Sequence, residues 1–289
     1  MTALSLRLPA WDRGSPWMAL VGLLAFGAGC EAPGAPALDG AWPNEPGGLT
    51  RLSGYEFNDS LPTGIGVPAG EGWLINNPDG YVSQARDLGA PFSPPQVGRW
   101  RYPIGFVGGQ EPATLYRDLD GTRRELYFGY WWKASAPWEG HPTGVNEMSY
   151  VLARDNIFVV KMQGQPGGPY VLAVNAEFTT SNGHLANSAG DDPGPRDLFG
   201  NVNGGNYVVT PGRWYQIEAY VKMSTSSTSR DGVIRWWVNG TPVGNYTTVN
   251  FDAARPWEDF AISPNWGGVG GTKTEEDYFW CAHVRLSVP

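Results

Sequence analysis

The sequence is short of charge, of cysteine and of long hydrophobic runs. Only 17% of its 289 residues are charged, and 28 acidic against 20 basic residues give a net charge of −8. That balance excludes general nucleic-acid binding, because neutralising phosphates requires an excess of Lys and Arg. Two cysteines allow one disulfide at most, and no Cys/His cluster indicates zinc. No apolar run reaches the roughly 20 residues that span a bilayer.

Helical periodicity is lacking too, and what the chain has instead is turn formers and aromatic residues. It contains 40 Gly, 25 Pro and 13% aromatic residues, whereas a disordered chain would be poor in aromatics and rich in charge. Short apolar or alternating runs between turn residues predict an all-β sandwich or jelly roll of two antiparallel sheets. The clearest predicted strands are Leu126–Lys133, Met148–Ala153, Ile157–Met162, Tyr170–Val174, Trp214–Met223, Val233–Asn239 and Tyr278–Leu286.

The N-terminal residues predict an export signal. A basic start, the apolar run Met18–Ala28 and small residues before Cys30 have the organisation of a secretory signal over residues 1–30. The residues before Cys30 resemble the lipobox of bacterial lipoproteins, which implies a lipid anchor on that cysteine; ordinary signal cleavage is the alternative. Residues 31–48 then predict a Pro/Gly-rich tether, and residues 49–289 a single domain. We expect a monomer in the cell envelope or secreted, touching membrane only through the anchor.

The predicted strand Trp214–Met223 divides its residues between an apolar and a polar face. The polar face carries Gln216, Glu218, Tyr220 and Lys222. Polar groups beside flat rings suit a sugar-binding groove, although an ordinary solvated face is the alternative. Another predicted strand segment, Val171–Phe178, places Asn175 and Glu177 together on its polar side.

Two segments carry a resemblance to a known superfamily. Gly212–Glu218 (GRWYQIE) followed by Asp231–Gly240 (DGVIRWWVNG) resembles the concanavalin A-like jelly-roll superfamily, and Asp277–Ser287 looks like its closing strand. The superfamily includes bacterial polysaccharide lyases that act on alginate, glucuronan and heparin-like chains. The resemblance implies a concanavalin A-like jelly roll that engages a polysaccharide and cleaves a uronic-acid polymer by β-elimination. Because the superfamily also holds lectins and hydrolases, non-catalytic glycan binding and glycoside hydrolysis stay open.

The same resemblance implies candidate site residues. Lyases of this fold use Tyr and His as acid and base, with an amide or a cation on the uronate carboxylate, which makes Tyr220, His141 and Gln216 the catalytic candidates. The candidates for substrate binding are Lys222, Glu218, Lys133, Asn175, Glu177 and Trp266. Glu218 stands where the alginate-lyase branch would have histidine, and its charge would repel a uronate. A hydrolase would need a carboxylate pair, for which Glu177 and Glu218 are the candidates.

No cofactor or catalytic metal is expected. Asp191, Asp192 and Asp197 offer an oxygen-rich loop that suits a structural calcium ion, but without EF-hand spacing a solvated loop is the preferred interpretation. Cys281 lies in an apolar strand and is predicted to be a buried, inert thiol.

Overall fold

Strands and turns, with no helix, form the described part of the chain. A computed structural model describes residues 42–91, 95–153, 156–179, 185–187, 197–251 and 256–289. The predicted signal and Cys30 lie outside these residues, as do Asp191 and Asp192. None of the described residues belongs to a helix that could span a membrane.

The described residues contain eighteen strands. The first nine are β1 (Thr50–Tyr55), β2 (Gly64–Gly70), β3 (Trp73–Asn77), β4 (Val82–Arg86), β5 (Gln96–Tyr102), β6 (Thr114–Arg123), β7 (Glu125–Ala134), β8 (Val145–Leu152) and β9 (Asn156–Gln163). The rest are β10 (Tyr170–Thr179), β11 (Leu185–Asn187), β12 (Asp197–Leu198), β13 (Tyr207–Val209), β14 (Tyr215–Lys222), β15 (Gly232–Val238), β16 (Thr241–Val249), β17 (Trp257–Ile262) and β18 (Asp277–Val288). Every strand named from the sequence is present, with ends that differ by a few residues.

The strands form two antiparallel sheets, so the predicted all-β fold is confirmed. The eight-stranded sheet has the order β16-β15-β14-β7-β18-β5-β4, with β1 also paired to β18. The ten-stranded sheet has the order β11-β10-β9-β8-β17-β6-β3-β2, with β12 and β13 paired to β10. Each sheet has an inner face, turned towards the other sheet, and an outer face.

An aromatic core fills the space between the inner faces. Phe128 on β7 of the eight-stranded sheet lies 4.9 Å from Phe260 and 6.1 Å from Phe158 of the ten-stranded sheet, measured between ring centroids. All three side chains are fully buried. Cys281 is also buried and forms no disulfide, as the sequence predicts. Burial of this many large rings supplies the main driving force for stacking the sheets.

A short N-terminal segment, Trp42–Glu45, lies across the outer face of the eight-stranded sheet, and we call it the strap. Trp42 is 4% exposed and packs with Tyr127 and Tyr220. It lies directly over Gly129, because a Cβ atom at that glycine would stand 2.6 Å from the Trp42 ring. The glycine of β7 therefore makes room for the strap.

Polar contacts hold the rest of the strap. The Glu218 carboxylate accepts hydrogen bonds from the Asn44 backbone at 3.0 Å, the Asn44 side chain at 2.9 Å and the Tyr127 hydroxyl at 2.6 Å. Arg285 donates two hydrogen bonds to Glu45, at 2.8 and 3.1 Å. The interpretation of residues 31–48 as a tether therefore does not extend to the strap, which is part of the folded domain.

Removing the indole of the strap should destabilise the domain. We expect Trp42→Ala to lower the free energy of unfolding by about 3 kcal/mol, the usual cost of truncating a buried tryptophan. Gly129→Ala should also destabilise, because its methyl group would displace the Trp42 ring. Chemical denaturation measures both variants, with the fully exposed Val269→Ala as control. Equal stability of Trp42→Ala and the wild-type protein would show that the strap is not docked.

Candidate functional site

The predicted polar stripe of β14 lies on the outer face of the eight-stranded sheet, and most of its polar groups are already engaged. Gln216 and Glu218 are buried, and the strap covers Glu218. The Gln216 side-chain nitrogen is the exception, because it has no hydrogen-bond partner among the described residues. Glu125 of β7 binds Lys222 at 2.7 Å and the Tyr220 hydroxyl at 2.8 Å. Burial alone would raise the pKa of Glu125, but the hydrogen bonds from Lys222 and Tyr220 outweigh it and lower the pKa. Apart from Gln216, the stripe is thus an internally paired surface, closed in part by the protein's own chain.

His141 and Trp266 lie together in loops at one end of the sandwich. The His141 ring contacts the Thr143 hydroxyl at 2.7 Å through Nδ1 and the Gly270 carbonyl at 2.8 Å through Nε2. The Trp266 ring packs against it edge to face at 4.6 Å and donates to the Glu139 carbonyl at 2.8 Å. Both rings are 1% exposed, so they hold these loops together rather than line a groove.

The structure therefore does not bring the three catalytic candidates together. Tyr220 and Gln216 are on the outer face of β14, whereas both ring nitrogens of His141 are used within the loops that it joins. The sequence analysis grouped these three residues by their residue types and by the position of His141 in a loop. Neither property determines the path of the loop between β7 and β8. The proposed acid–base pair of Tyr220 and His141 is absent from the described structure.

The two carboxylates of the hydrolase interpretation belong to strands of different sheets. Glu218 is on β14 of the eight-stranded sheet, and Glu177 is on β10 of the ten-stranded sheet. The side chain of Glu177 lies outside the described residues, so the pair stays a prediction.

A polar cluster that sequence reasoning missed lies on the outer face of the ten-stranded sheet. The Tyr150 hydroxyl donates to the Glu147 carboxylate at 2.6 Å. Glu147 on β8 is directly opposite Lys161 on β9, and Tyr150 is opposite Val159, so Lys161 and Tyr150 are diagonal neighbours. Asn175 on β10 is opposite Val159 from the other side and is also diagonal to Lys161. The register of β8, β9 and β10 thus brings the Tyr150 phenol, the Lys161 amine, the Glu147 carboxylate and the Asn175 amide close together.

The environment of this cluster keeps the phenol protonated. Burial, followed by the charge and hydrogen bond of Glu147, raises the pKa of Tyr150 well above its ordinary range, although the Asn265 amide opposes this with a hydrogen bond of its own. Lys161 and Asn175 are 4% and 8% exposed, while Tyr150 and Glu147 remain partly exposed. Glu147 and Asn265 therefore hold the protonated Tyr150 hydroxyl in place at a partly exposed surface.

A β-bulge explains why the cluster escaped the sequence analysis. Positions 147 and 150 have opposite parity, so a regular strand would point one side chain inwards. The register shifts between Glu147 and Ser149, and both Met148 and Ser149 face the interior, where Ser149 meets the Tyr130 hydroxyl at 2.9 Å. The bulge returns Tyr150 to the outer face beside Glu147. No residue type in this segment marks such a bulge.

Lys133, another binding candidate, lies on the outer face of the eight-stranded sheet. Its ammonium group stands over the rings of Trp214 at 5.0 Å and Trp280 at 4.5 Å and forms a salt bridge with Asp87. Burial alone would raise the pKa of Asp87, but Lys133, the Gly89 backbone and Trp214 together lower it. Lys133 is thus separated from the ten-stranded cluster by the whole sandwich.

No metal site is visible in the part of the chain that the structure describes, where no group of three or more His, Cys, Asp or Glu side chains converges. The calcium interpretation depends on Asp191, Asp192 and the side chain of Asp197, which all lie outside that part. It stays a prediction.

Solved structures with a similar fold include alginate and glucuronan lyases. An alginate lyase matches with a TM-score of 0.55 and 16% identity, over 82% of this chain and 96% of that chain. A variant of an alginate lyase in complex with alginate tetrasaccharide has a TM-score of 0.54 and 15% identity, over 82% and 96% of the chains. An endo-β-1,4-glucuronan lyase from the fungus Trichoderma reesei has a TM-score of 0.56 and 12% identity, over 83% and 96% of the chains. Models of known protein families and the curated proteins give no match.

The titration of Tyr150 can be followed directly. Its raised pKa stabilises the folded state at pH values below about 10, and this contribution is lost as the pH rises above that value towards the raised pKa. Difference ultraviolet titration of the wild-type protein against Tyr150→Phe should therefore show no tyrosinate from Tyr150 near pH 10. Replacing the carboxylate in Glu147→Gln should move this ionisation to lower pH. Ionisation of Tyr150 at the ordinary tyrosine pH would contradict the assignment.

Proposed function

We propose that the protein is a polysaccharide lyase that cleaves a uronic-acid polymer by β-elimination on the outer face of the ten-stranded sheet. The observation that carries the proposal is the Tyr150–Glu147 hydrogen bond beside Lys161 and Asn175. The fold adds support, since the solved structures that resemble this chain include alginate and glucuronan lyases.

β-Elimination needs three groups, and the cluster has one for each. A base takes the proton from the carbon beside the uronate carboxylate, the released electron pair forms a carbon–carbon double bond, and the bond to the leaving oxygen breaks. We assign Lys161 to the base and the protonated Tyr150 to the acid that gives its proton to the leaving oxygen. The Asn175 amide would bind the uronate carboxylate as charge develops there. Glu147 and Asn265 act as positioning residues that orient the phenol.

Residues of these two types have been replaced in a neighbouring lyase that binds alginate. The alginate lyase in complex with alginate tetrasaccharide carries alanine in place of one lysine and one tyrosine. The protein's net charge of −8 does not attract an anionic polymer, so binding has to depend on local cations and amides. The Asn175 amide supplies one such group within the cluster.

We also propose that the protein works outside the cytoplasm, anchored through Cys30 or released after signal cleavage. A lyase for extracellular polymers needs export, and the charged start, apolar run and small residues before Cys30 supply the signal for it.

The lyase proposal predicts that activity is lost only when residues on the outer face of the ten-stranded sheet are substituted. Tyr150→Phe and Lys161→Met should each lower kcat/KM by about a hundredfold or more, because each removes a proton-transfer group. The assay follows the ultraviolet absorbance of the unsaturated uronate over a panel of alginate, glucuronan and neutral glycans.

Matched controls come from the other face. Tyr220→Phe and Lys222→Met remove the same groups from the eight-stranded sheet and should retain activity. If these controls lose activity and Tyr150→Phe keeps it, the reaction belongs to the eight-stranded sheet. Absence of absorbance with every uronate polymer, with glycan binding retained, would instead favour a lectin-like protein.

A further inference from the structure

A buried lysine lies against a buried aspartate at one end of the sandwich, where a loop leads into β18. The Nζ atom of Lys273 stands 2.6 Å from the Asp277 carboxylate, and the two side chains are 0% and 1% exposed. Both charges are therefore held away from water, which makes the pair costly to keep ionised. None of the groups proposed for the reaction on the ten-stranded sheet belongs to this pair.

Aromatic rings enclose the amine of the pair. Three buried rings surround its Nζ atom, with centroids at 4.5 Å for Trp138, 4.7 Å for Trp266 and 5.7 Å for Tyr102. Burial lowers the pKa of Lys273, although the hydrogen bond and the charge of Asp277 oppose this effect. A lysine that is shielded from water in this way releases its proton more readily and becomes a nucleophile.

Hydrogen-bond donors hold both oxygens of the Asp277 carboxyl group. The Ser135 hydroxyl donates to Oδ1 at 2.6 Å, and the Glu139 backbone N–H donates to Oδ2 at 2.8 Å. Donors fixed in this way stabilise the negative charge that develops on oxygen when a nucleophile adds to a carboxyl carbon. Contact between the amine and Oδ2 also keeps the reacting groups together, which removes much of the entropic cost of the addition.

The carboxylate of Glu139 is the third group beside the pair. It lies 3.9 Å from the Nζ atom of Lys273, and the Glu139 backbone carbonyl accepts a hydrogen bond from the same amine at 2.9 Å. The Thr274 backbone and hydroxyl fix the carboxylate with hydrogen bonds at 2.8 and 2.9 Å. A carboxylate in this position can take a proton from the amine, since acid–base contacts of this length often shorten in the reacting state.

We propose that Lys273 and Asp277 condense into an intramolecular amide bond, with Glu139 carrying the protons. The Glu139 carboxylate takes one proton from the ammonium group, and the freed electron pair of the nitrogen forms a bond to the Asp277 carboxyl carbon. The nitrogen then gives up a second proton, one carbon–oxygen bond breaks, and the departing oxygen leaves with both protons as water. The Ser135 hydroxyl stays bound to the oxygen of the new amide. The step needs no oxidant, and it removes both charges of the buried pair.

The amide bond fixes the loop that leads into β18, a strand that pairs with β1, β5 and β7. Cys281 forms no disulfide, and it is the one cysteine among the described residues. An amide cross-link therefore supplies a covalent constraint that a disulfide does not provide in this part of the chain. The inference is independent of the lyase proposal.

Peptide mass mapping of the denatured wild-type protein tests the bond. Trypsin should fail to cleave after Lys273, and the peptide that contains residues 273–277 should be lighter than its sequence by one water molecule. Lys273→Arg should restore both the full mass and the cleavage, because the guanidinium keeps the charge but is not a nucleophile. Glu139→Gln should restore them as well, since an amide does not take the proton.

The pair of Lys133 and Asp87 is an internal control in the same digest. It also lies beside two indole rings, but its side chains are 14% and 20% exposed. Cleavage after Lys133 should therefore be normal.

The results distinguish the cross-link from an ion pair and from other losses of water. Normal cleavage after Lys273 with the full peptide mass would refute the bond. A lighter peptide that is still cleaved there would refute it too, because a succinimide at Asp277 has that signature. A cross-link in Glu139→Gln at the wild-type level would overturn the role of Glu139. The readout is covalent mass, so none of these results depends on whether the protein cleaves a polysaccharide.

Discussion

Phe128 and Phe260 face each other across the interior at 4.9 Å, and the contact between the two sheets that they represent constrains everything else in the molecule. Once a strand commits one side chain to this core, its period-two alternation determines which neighbours face outwards. Large rings on both inner faces make a slip in register costly, because a shift of one residue would expose them all. The set of side chains on each outer face is therefore determined as strictly as the set in the core.

The two outer faces differ in how much of their polar surface is covered or paired within the protein. On the eight-stranded sheet, the strap and its contacts with Glu218 and Arg285 close part of the surface, and the remaining charges are mostly paired. Removing one partner of such a buried pair is costly, because it leaves an unpaired charge behind. On the ten-stranded sheet, the bulge in β8 aligns Glu147 and Tyr150 and leaves their edge partly open. A local break in the regular pattern thus brings Glu147 and Tyr150 onto one face.

The amino-acid pattern alone was sufficient for the all-β fold, the strand positions, the apolar and polar faces of β14 and the buried thiol of Cys281, because period-two alternation and turn residues are local signals. The resemblance in Gly212–Glu218 and Asp231–Gly240 also led to the jelly roll seen in solved lyases. Tertiary structure alone decided which residues meet. It separated His141 from Tyr220, covered Glu218 with Asn44, and joined Tyr150 to Glu147 through a bulge. These outcomes depend on long-range register and on loop paths, which are set by packing between residues far apart in the chain rather than by local composition.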